Sequence, residues 1–345
     1  MKATVLTQFG APEVLQYGEA DTPTWLASQM LVRVAACGVC GHDLLNREGH
    51  FPDTRTPCVM GHEIAGVVQE VGALVTGFAP GDRVALTQRI SCGTCPACRA
   101  GRDNLCRSGP GFYGEQISGG YGEFVIASPR NAVPLPANID LDIGAILSCA
   151  VGTGYHALNR ARLLPGDTVV ITAASGGVGL HTVELARLLG LRVIATTSSA
   201  RKVDLLREVG ANEVIAAPDN QFHKAVRELT GGAGADAVIE IAGGPTFGSS
   251  IRSLAVGGRL VLVGNVQPGN VPLNPALPIL KEIELVGSAH ALVSDLRRIV
   301  DLVARGVVKP KIAEKLPVRE AARAHALLGS GSAGGAGGRL VLTHG

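Results

Sequence analysis

At 345 residues, 46% of them apolar and 17% charged, the chain is too long for one simple core and too apolar for disorder, so two globular domains are expected. Its 31 basic and 29 acidic residues nearly cancel, and no basic stripe marks a nucleic-acid surface. The N-terminal segment has no apolar h-region, and no apolar run reaches the ~20 residues of a bilayer span. The expectation is a cytoplasmic protein without membrane or nucleic-acid partners, in which eight cysteines read as metal ligands before disulfides.

Residues 2–6 and 30–35 are short apolar–polar bursts separated by turn signals such as Phe9-Gly10-Ala11-Pro12, the spacing of an antiparallel β domain. Residues 63–72, 80–84 and 121–127 continue it. Within this stretch come Cys37-Gly-Val-Cys40-Gly-His42-Asp43 and Gly61-His62-Glu63. Thiolate, imidazole and carboxylate are the donors zinc takes, but the set is incomplete locally; Cys149 is the candidate for the distant ligand. Cys40, His62 and Cys149 together would leave a fourth tetrahedral position open, the mark of a catalytic zinc. Cys37 and Cys40 also form C-x-x-C, but a redox pair belongs near a βαβ pattern, which begins far downstream. Cys37 and Cys58 therefore read as buried thiols. His42, two residues past a candidate ligand, could accept an alcohol proton; His50 reads as a surface or packing residue.

Cys92, Cys95 and Cys98, with Cys106 eight positions later, lie on a Gly-, Pro- and Arg-rich loop. Four thiolates so spaced close a tetrahedral site with no vacancy, a structural zinc in a lobe at about 90–107. An iron–sulfur cluster or unligated thiols are the alternatives.

Near residue 150 the pattern changes. A β-branched strand at 167–172, the turn Ala174-Ser175-Gly176-Gly177-Val178-Gly179, a helix to 189 and a strand at 191–196 form a dinucleotide-binding βαβ unit. The first glycine of G-x-G-x-x-G is Ala174 here; the backbone of 175–179 is the candidate pyrophosphate cradle. Strands at 213–215, 236–241, 259–263 and 284–286, with helices such as 222–229 between them, complete a doubly wound parallel sheet of six strands. Gly264, just past the fifth strand, joins the candidate cofactor residues. No acid follows the second strand: Thr197, Ser198, Ser199 and Lys202, with Arg201, suit a 2′-phosphate, so NADP is favoured over NAD. After 287 the rhythm breaks into a helix at 294–304, a Gly- and Ser-rich loop at 329–338, and a last strand at 339–343.

Taken together, these motifs make the chain resemble the zinc-dependent medium-chain alcohol dehydrogenases over its full length. The resemblance rests on Cys40 with Asp43, Gly61-His62-Glu63, the four-cysteine lobe, residues 149–155, the glycine turn and Arg339. It implies an α/β protein: a GroES-like β-barrel catalytic domain at 1–150 and 289–345, and a Rossmann cofactor domain at 151–288, with the active site in the cleft between. It implies two zinc ions per chain, the catalytic one held by Cys40, His62 and Cys149 with Glu63 as a transient ligand. Asp43 would fix the His62 tautomer, Arg339 would reach the cofactor pyrophosphate, and the chain would form a homodimer or homotetramer acting on a small alcohol or carbonyl. Where the family has Ser or Thr this chain has His42, and Leu45 stands where many members carry a histidine. Either His42 replaces the proton relay or the chemistry differs. The texture around 43–45, 173–178 and 196–198 also resembles acryloyl-CoA reductases, which reduce an activated C=C bond.

Overall fold

The computed structural model describes residues 1–331 and 337–344 in two compact units. The first comprises 1–152, 290–331 and 339–344; the second comprises 153–289 with 337–338. Part of the loop read at 329–338 lies outside the described residues.

The first unit is built on the strand Met30–Val39, in which only Arg33 reaches solvent freely. Near-continuous burial suits a strand paired on both sides. Its antiparallel neighbours are Glu63–Val71 on one side and Arg339–Thr343 on the other, with Phe124–Ala127 against its first half. Arg83–Leu86 and Ala132–Pro134 extend the sheet beyond Glu63–Val71, and Ile312–Pro317 extends it beyond Arg339–Thr343. That last pairing is parallel, and the sequence reading had no strand there. The run Ile-Ala-Glu-Lys-Leu-Pro alternates too weakly to announce one. A three-stranded sheet of Leu15–Glu19, Lys2–Leu6 and Cys58–Val59 packs into the same core, where Leu6, Val32, Ile64, Leu86 and Leu342 meet. The strand expected at 80–84 begins only at Arg83, because Pro80-Gly81 forms the preceding turn.

The second unit holds a six-stranded parallel sheet. Its spatial order is Glu213–Ala216, Arg192–Thr197, Thr168–Ile171, Ala235–Glu240, Leu254–Leu262, Glu284–Gly287. In chain order that is 3-2-1-4-5-6, the doubly wound arrangement whose ligand crevice lies beyond the strand ends at the 1/4 switch point. The fifth strand starts five residues earlier than expected, since Gly257 and Gly258 lie within it.

One expectation is corrected. The continuous helical run Leu141–Ala161 has 21 residues, by length and composition enough to cross a membrane. Its apolar window is 72% buried, as in a core helix. The sequence reading missed the run because Gly144, Gly152 and Gly154 interrupt it; each packs against a neighbour too close for a side chain.

Candidate metal centre and cofactor turn

Sheet register explains why residues far apart in sequence meet. Gly38 lies opposite Glu63 and Val39 opposite Leu340. Cys40, His62 and Arg339 therefore emerge at the same end of three adjacent strands. Cys40 then caps the short helix Gly41–Arg47, and Asp43, in its first turn, accepts the Cys40 N–H at 2.9 Å through Oδ2. Cys149 arrives from the core helix, in the π-helical turn Leu147–Val151. Such a turn inserts one residue and re-aims the side chains around it. Gln88 Nε2 donates to the Ser148 carbonyl at 2.9 Å and ties this turn to the sheet.

The ligand atoms of Cys40, His62, Glu63 and Cys149 all lie within 4.8 Å of one another, and all four residues are buried. Cys40 Sγ is 3.3 Å from His62 Nε2. His62 Nδ1 is 3.0 Å from Asp43 Oδ1, so the ring donates there and turns its Nε2 lone pair toward the sulfurs. Burial would by itself raise the Asp43 pKa, but the adjacent His62 holds it down at about 2. His62 is shifted in the opposite sense: burial opposes its charge, yet Asp43 raises it well above the ordinary imidazole value. The Cys149 thiol is pushed up to about 12, chiefly by its hydrogen bond with Cys40 and then by burial.

Glu63 is wholly buried, and burial drives its pKa well up against the pull of Arg339. The Arg339 guanidinium approaches Glu63 Oε1 at 2.9 Å and Cys149 Sγ at 3.9 Å. The first is a charge contact rather than a directed hydrogen bond, and neither Glu63 oxygen has a hydrogen-bond partner. Two thiols, an imidazole and an unsatisfied carboxylate in one buried cluster fit a zinc ion. Gly38 makes room for this carboxylate, since a Cβ there would lie 2.2 Å from Glu63 Oε2.

The four lobe cysteines also converge. Cys92 and Cys98 sulfurs are 3.9 Å apart, as are those of Cys95 and Cys106. A tetrahedron of thiolates about 2.3 Å from zinc has edges of roughly 3.8 Å, whereas a disulfide would need about 2 Å. Backbone N–H groups of Thr94 and Cys95 donate to Cys92 Sγ and help lower its pKa to about 5.

His42 stands beside the buried cluster. Its ring stacks on Phe51 with centroids 4.3 Å apart and meets the His62 ring edge-on at 4.9 Å. Its Nε2 lies 2.8 Å from Glu115 Oε1. Sequence reasoning missed Glu115, which belongs to no motif. It also missed Phe112, whose ring lies 5.3 Å from that of His62, and His290, which packs on Phe112 at 4.9 Å. Burial takes the His290 pKa down to about 3. His50 lies outside the cluster, exposed beside Glu48. Cys37 and Cys40 do follow a strand and open a helix, but burial raises the Cys37 pKa well above the usual thiol range.

In the second unit the first strand ends at Ile171 and the next helix, Gly177–Leu188, begins six residues on. The left-handed residue of the turn is Ala173, with φ 45°, so Ala174 itself does not require glycine. Gly179 does: a Cβ there would lie 2.4 Å from the Ala173 carbonyl oxygen. The first intrahelical bond runs from Leu180 N–H to Gly176 C=O, leaving the N–H groups of Gly177, Val178 and Gly179 at the open helix start. Ser175 Oγ lies 3.0 Å from Thr197 Oγ1, at the end of the second strand. Ser198 is exposed, Ser199 and Lys202 are half-buried, and no acid lies among them. Gly264 packs on Ile241, where a Cβ would meet the carbonyl oxygen at 2.0 Å. The sequence reading overlooked Glu240 at the switch point. It is fully buried and accepts hydrogen bonds from Thr172 (2.7 Å), Gly243 N–H (2.8 Å), Thr246 (2.6 Å) and Ser250.

The alcohol dehydrogenase GroES-like domain matches residues 27–137, and the zinc-binding dehydrogenase family matches residues 177–305. The chain is 32% identical to the acryloyl-coenzyme A reductase of Metallosphaera sedula, over 95% of this chain and 96% of that one. It is 33% identical to the NAD-dependent alcohol dehydrogenase of Saccharolobus solfataricus, over 93% and 94%. The crystal structure of AibC superposes with a TM-score of 0.92 at 44% identity, covering 99% of this chain and 95% of that one. The chain therefore belongs to the zinc-binding dehydrogenases with a GroES-like domain, the NAD(P)-dependent oxidoreductases of the medium-chain dehydrogenase/reductase superfamily.

Proposed function

We propose that the protein is a zinc-dependent alcohol dehydrogenase with two zinc ions per chain, exchanging hydride between a small alcohol or carbonyl and NADP. The observation that carries this reading is the buried cluster of Cys40, His62 and Cys149, with Glu63 unsatisfied beside them. Cys92, Cys95, Cys98 and Cys106 would hold the structural ion. A bound catalytic zinc supplies Lewis acidity to a substrate oxygen, and the nicotinamide gives or takes the hydride. The chain's own residues do the rest. Asp43 fixes the His62 ring with Nε2 free to ligate, and it seats Cys40 through the backbone. His42 holds the proton and passes it to Glu115, 2.8 Å away. The turn 175–179 binds the pyrophosphate and Gly264 lets the cofactor approach, while Arg339 is held by Glu63. Thr197, Ser198, Ser199 and Lys202 receive the 2′-phosphate. We place the protein in the cytoplasm as a homodimer or homotetramer.

The test is a panel of alcohols and aldehydes with NADPH and NADH, run beside zinc analysis. Cys40→Ser should lose one zinc per chain and turnover together; full turnover in a metal-free Cys40→Ser protein would falsify the reading.

A second reading is the reduction of an activated C=C bond in a CoA thioester, with the metal in a lesser role. Two observations favour it: the likeness to an acryloyl-coenzyme A reductase, and His42 in place of the relay hydroxyl. Reduction of crotonyl-CoA by NADPH, with no turnover of the aldehyde panel, would select it.

A further inference from the structure

The first unit carries an open cavity of about 560 Å³, of whose lining the chemistry above uses only Glu115. Its volume lies within the roughly 300–1,000 Å³ of small-molecule sites. The walls are the loop at 52–58, Arg89 and the segment 107–118. Three guanidiniums line it, from Arg55, Arg89 and Arg107, against two carboxylates, Asp53 and Glu115. Glu115 is already engaged by His42. None of the three arginines forms an ion pair among the described residues. Arg89 Nε is buried and has no hydrogen-bond acceptor. The Arg89 pKa is lowered by burial and then by the Arg107 charge, against the pull of Glu115, Cys106 and Asp53.

Three arginines that line one cavity without an ion pair make a site that suits an anion. Guanidinium forks match phosphate oxygens, and several in one cavity suit a ligand with more than one phosphate. Side-chain contacts link the cavity wall to the metal cluster. Arg89 lies over the Phe112 ring, 5.6 Å from its centroid, and Phe112 packs on His62. Glu115 lines the cavity and reaches His42. The phosphates of the nicotinamide cofactor are assigned to the glycine turn of the other unit, so an anion here would be carried by the substrate.

We propose that Arg55, Arg89 and Arg107 bind the phosphate groups of the nucleotide tail of an acyl-thioester substrate. The identity of the acyl carrier rests on the second reading above; the anion site itself does not.

The experiment uses the zinc-loaded full chain saturated with NADP⁺, so that the glycine-turn site is filled, and titrates CoA, pantetheine and inorganic phosphate by calorimetry. CoA should bind, and pantetheine, which lacks the nucleotide, should bind at least roughly tenfold more weakly. Arg107→Gln and Arg55→Gln remove exposed side chains, so the variants should fold. Each should weaken CoA binding by about tenfold, as should Arg89→Met. The kcat/KM for crotonyl-CoA should fall in these variants relative to that for crotonyl-pantetheine. Equal binding of pantetheine and CoA would overturn the proposal. So would inorganic phosphate binding as tightly as CoA, or CoA affinity untouched by the arginine substitutions. CoA binding that depends on the arginines, without turnover of crotonyl-CoA, would support the site and overturn the second reading alone.

Discussion

Asp43 reaches His62 with one carboxylate oxygen, at 3.0 Å from Nδ1, and the Cys40 backbone N–H with the other, at 2.9 Å. One buried side chain thus orients two of the candidate zinc ligands. Asp43→Asn puts an amide N–H against His62 or Cys40 and removes the charge that fixes the ring tautomer. Zinc affinity should fall about 10- to 100-fold, read as faster loss of one zinc per chain to a chelator. Unchanged zinc retention would show that Asp43 does not act through His62.

Gly38 and Glu63 are opposite each other in register, and the missing Cβ is where the Glu63 carboxylate sits. Gly38→Ala should displace that carboxylate and cost about 1–3 kcal/mol through overpacking. A thermal melt and a zinc assay on one sample check both effects. Wild-type values for both would mean that the strands shift to absorb the methyl group.

In the four-cysteine lobe only Cys106 of the four is fully buried, and the sulfurs converge 3.9 Å apart in pairs. Cys98→Ser should drop the zinc content by one ion per chain, lower the melting temperature by several degrees and leave the other ion in place. Retention of both ions would remove the structural assignment.

His325 is buried between Tyr121 and Arg47, 2.9 Å from the Tyr121 hydroxyl and 3.3 Å from an Arg47 nitrogen. Burial, with the Arg47 charge, lowers its pKa to about 4 against the pull of Asp43. The folded value lies below the unfolded one of about 6.5, so the unfolded chain binds a proton that the folded chain refuses. The contribution of neutral His325 is whole above pH ~6.5 and declines as the pH falls to ~4, by about 3 kcal/mol. Urea unfolding across this range should show a steeper loss for wild type than for His325→Gln; parallel curves would assign the acid sensitivity elsewhere.

At the end of the second Rossmann strand, exposed Ser198 follows buried Thr197, and the two serines there offer no charge to repel a phosphate. Ser198→Asp should shift the ratio of kcat/KM for NADPH over NADH toward NADH by about tenfold or more, through repulsion of the 2′-phosphate. A wild-type ratio near one would withdraw the NADP assignment.

The candidate metal ligands were readable in the chain because their identities limit what they can do. Cys40, His62, Cys149 and the four lobe cysteines are donor types whose spacing points to metal. The alternation of β-branched runs with glycine turns declared the parallel sheet, since that pattern follows from local backbone preference. Residues 312–317 were not readable as a strand, because their pairing with Arg339–Thr343 is a contact between distant segments. Three features were decided only by tertiary structure. Arg339 is drawn to Glu63 because the strands flanking Met30–Val39 end together, and to Cys149 because the π-helical turn packs there. Glu115 becomes the partner of His42 because a loop folds back across 73 positions. The guanidiniums of Arg55, Arg89 and Arg107 line one cavity, although nothing in their spacing links them. Sequence sets the chemistry each side chain can perform; convergence through register and loop return sets which of those chemistries share a site.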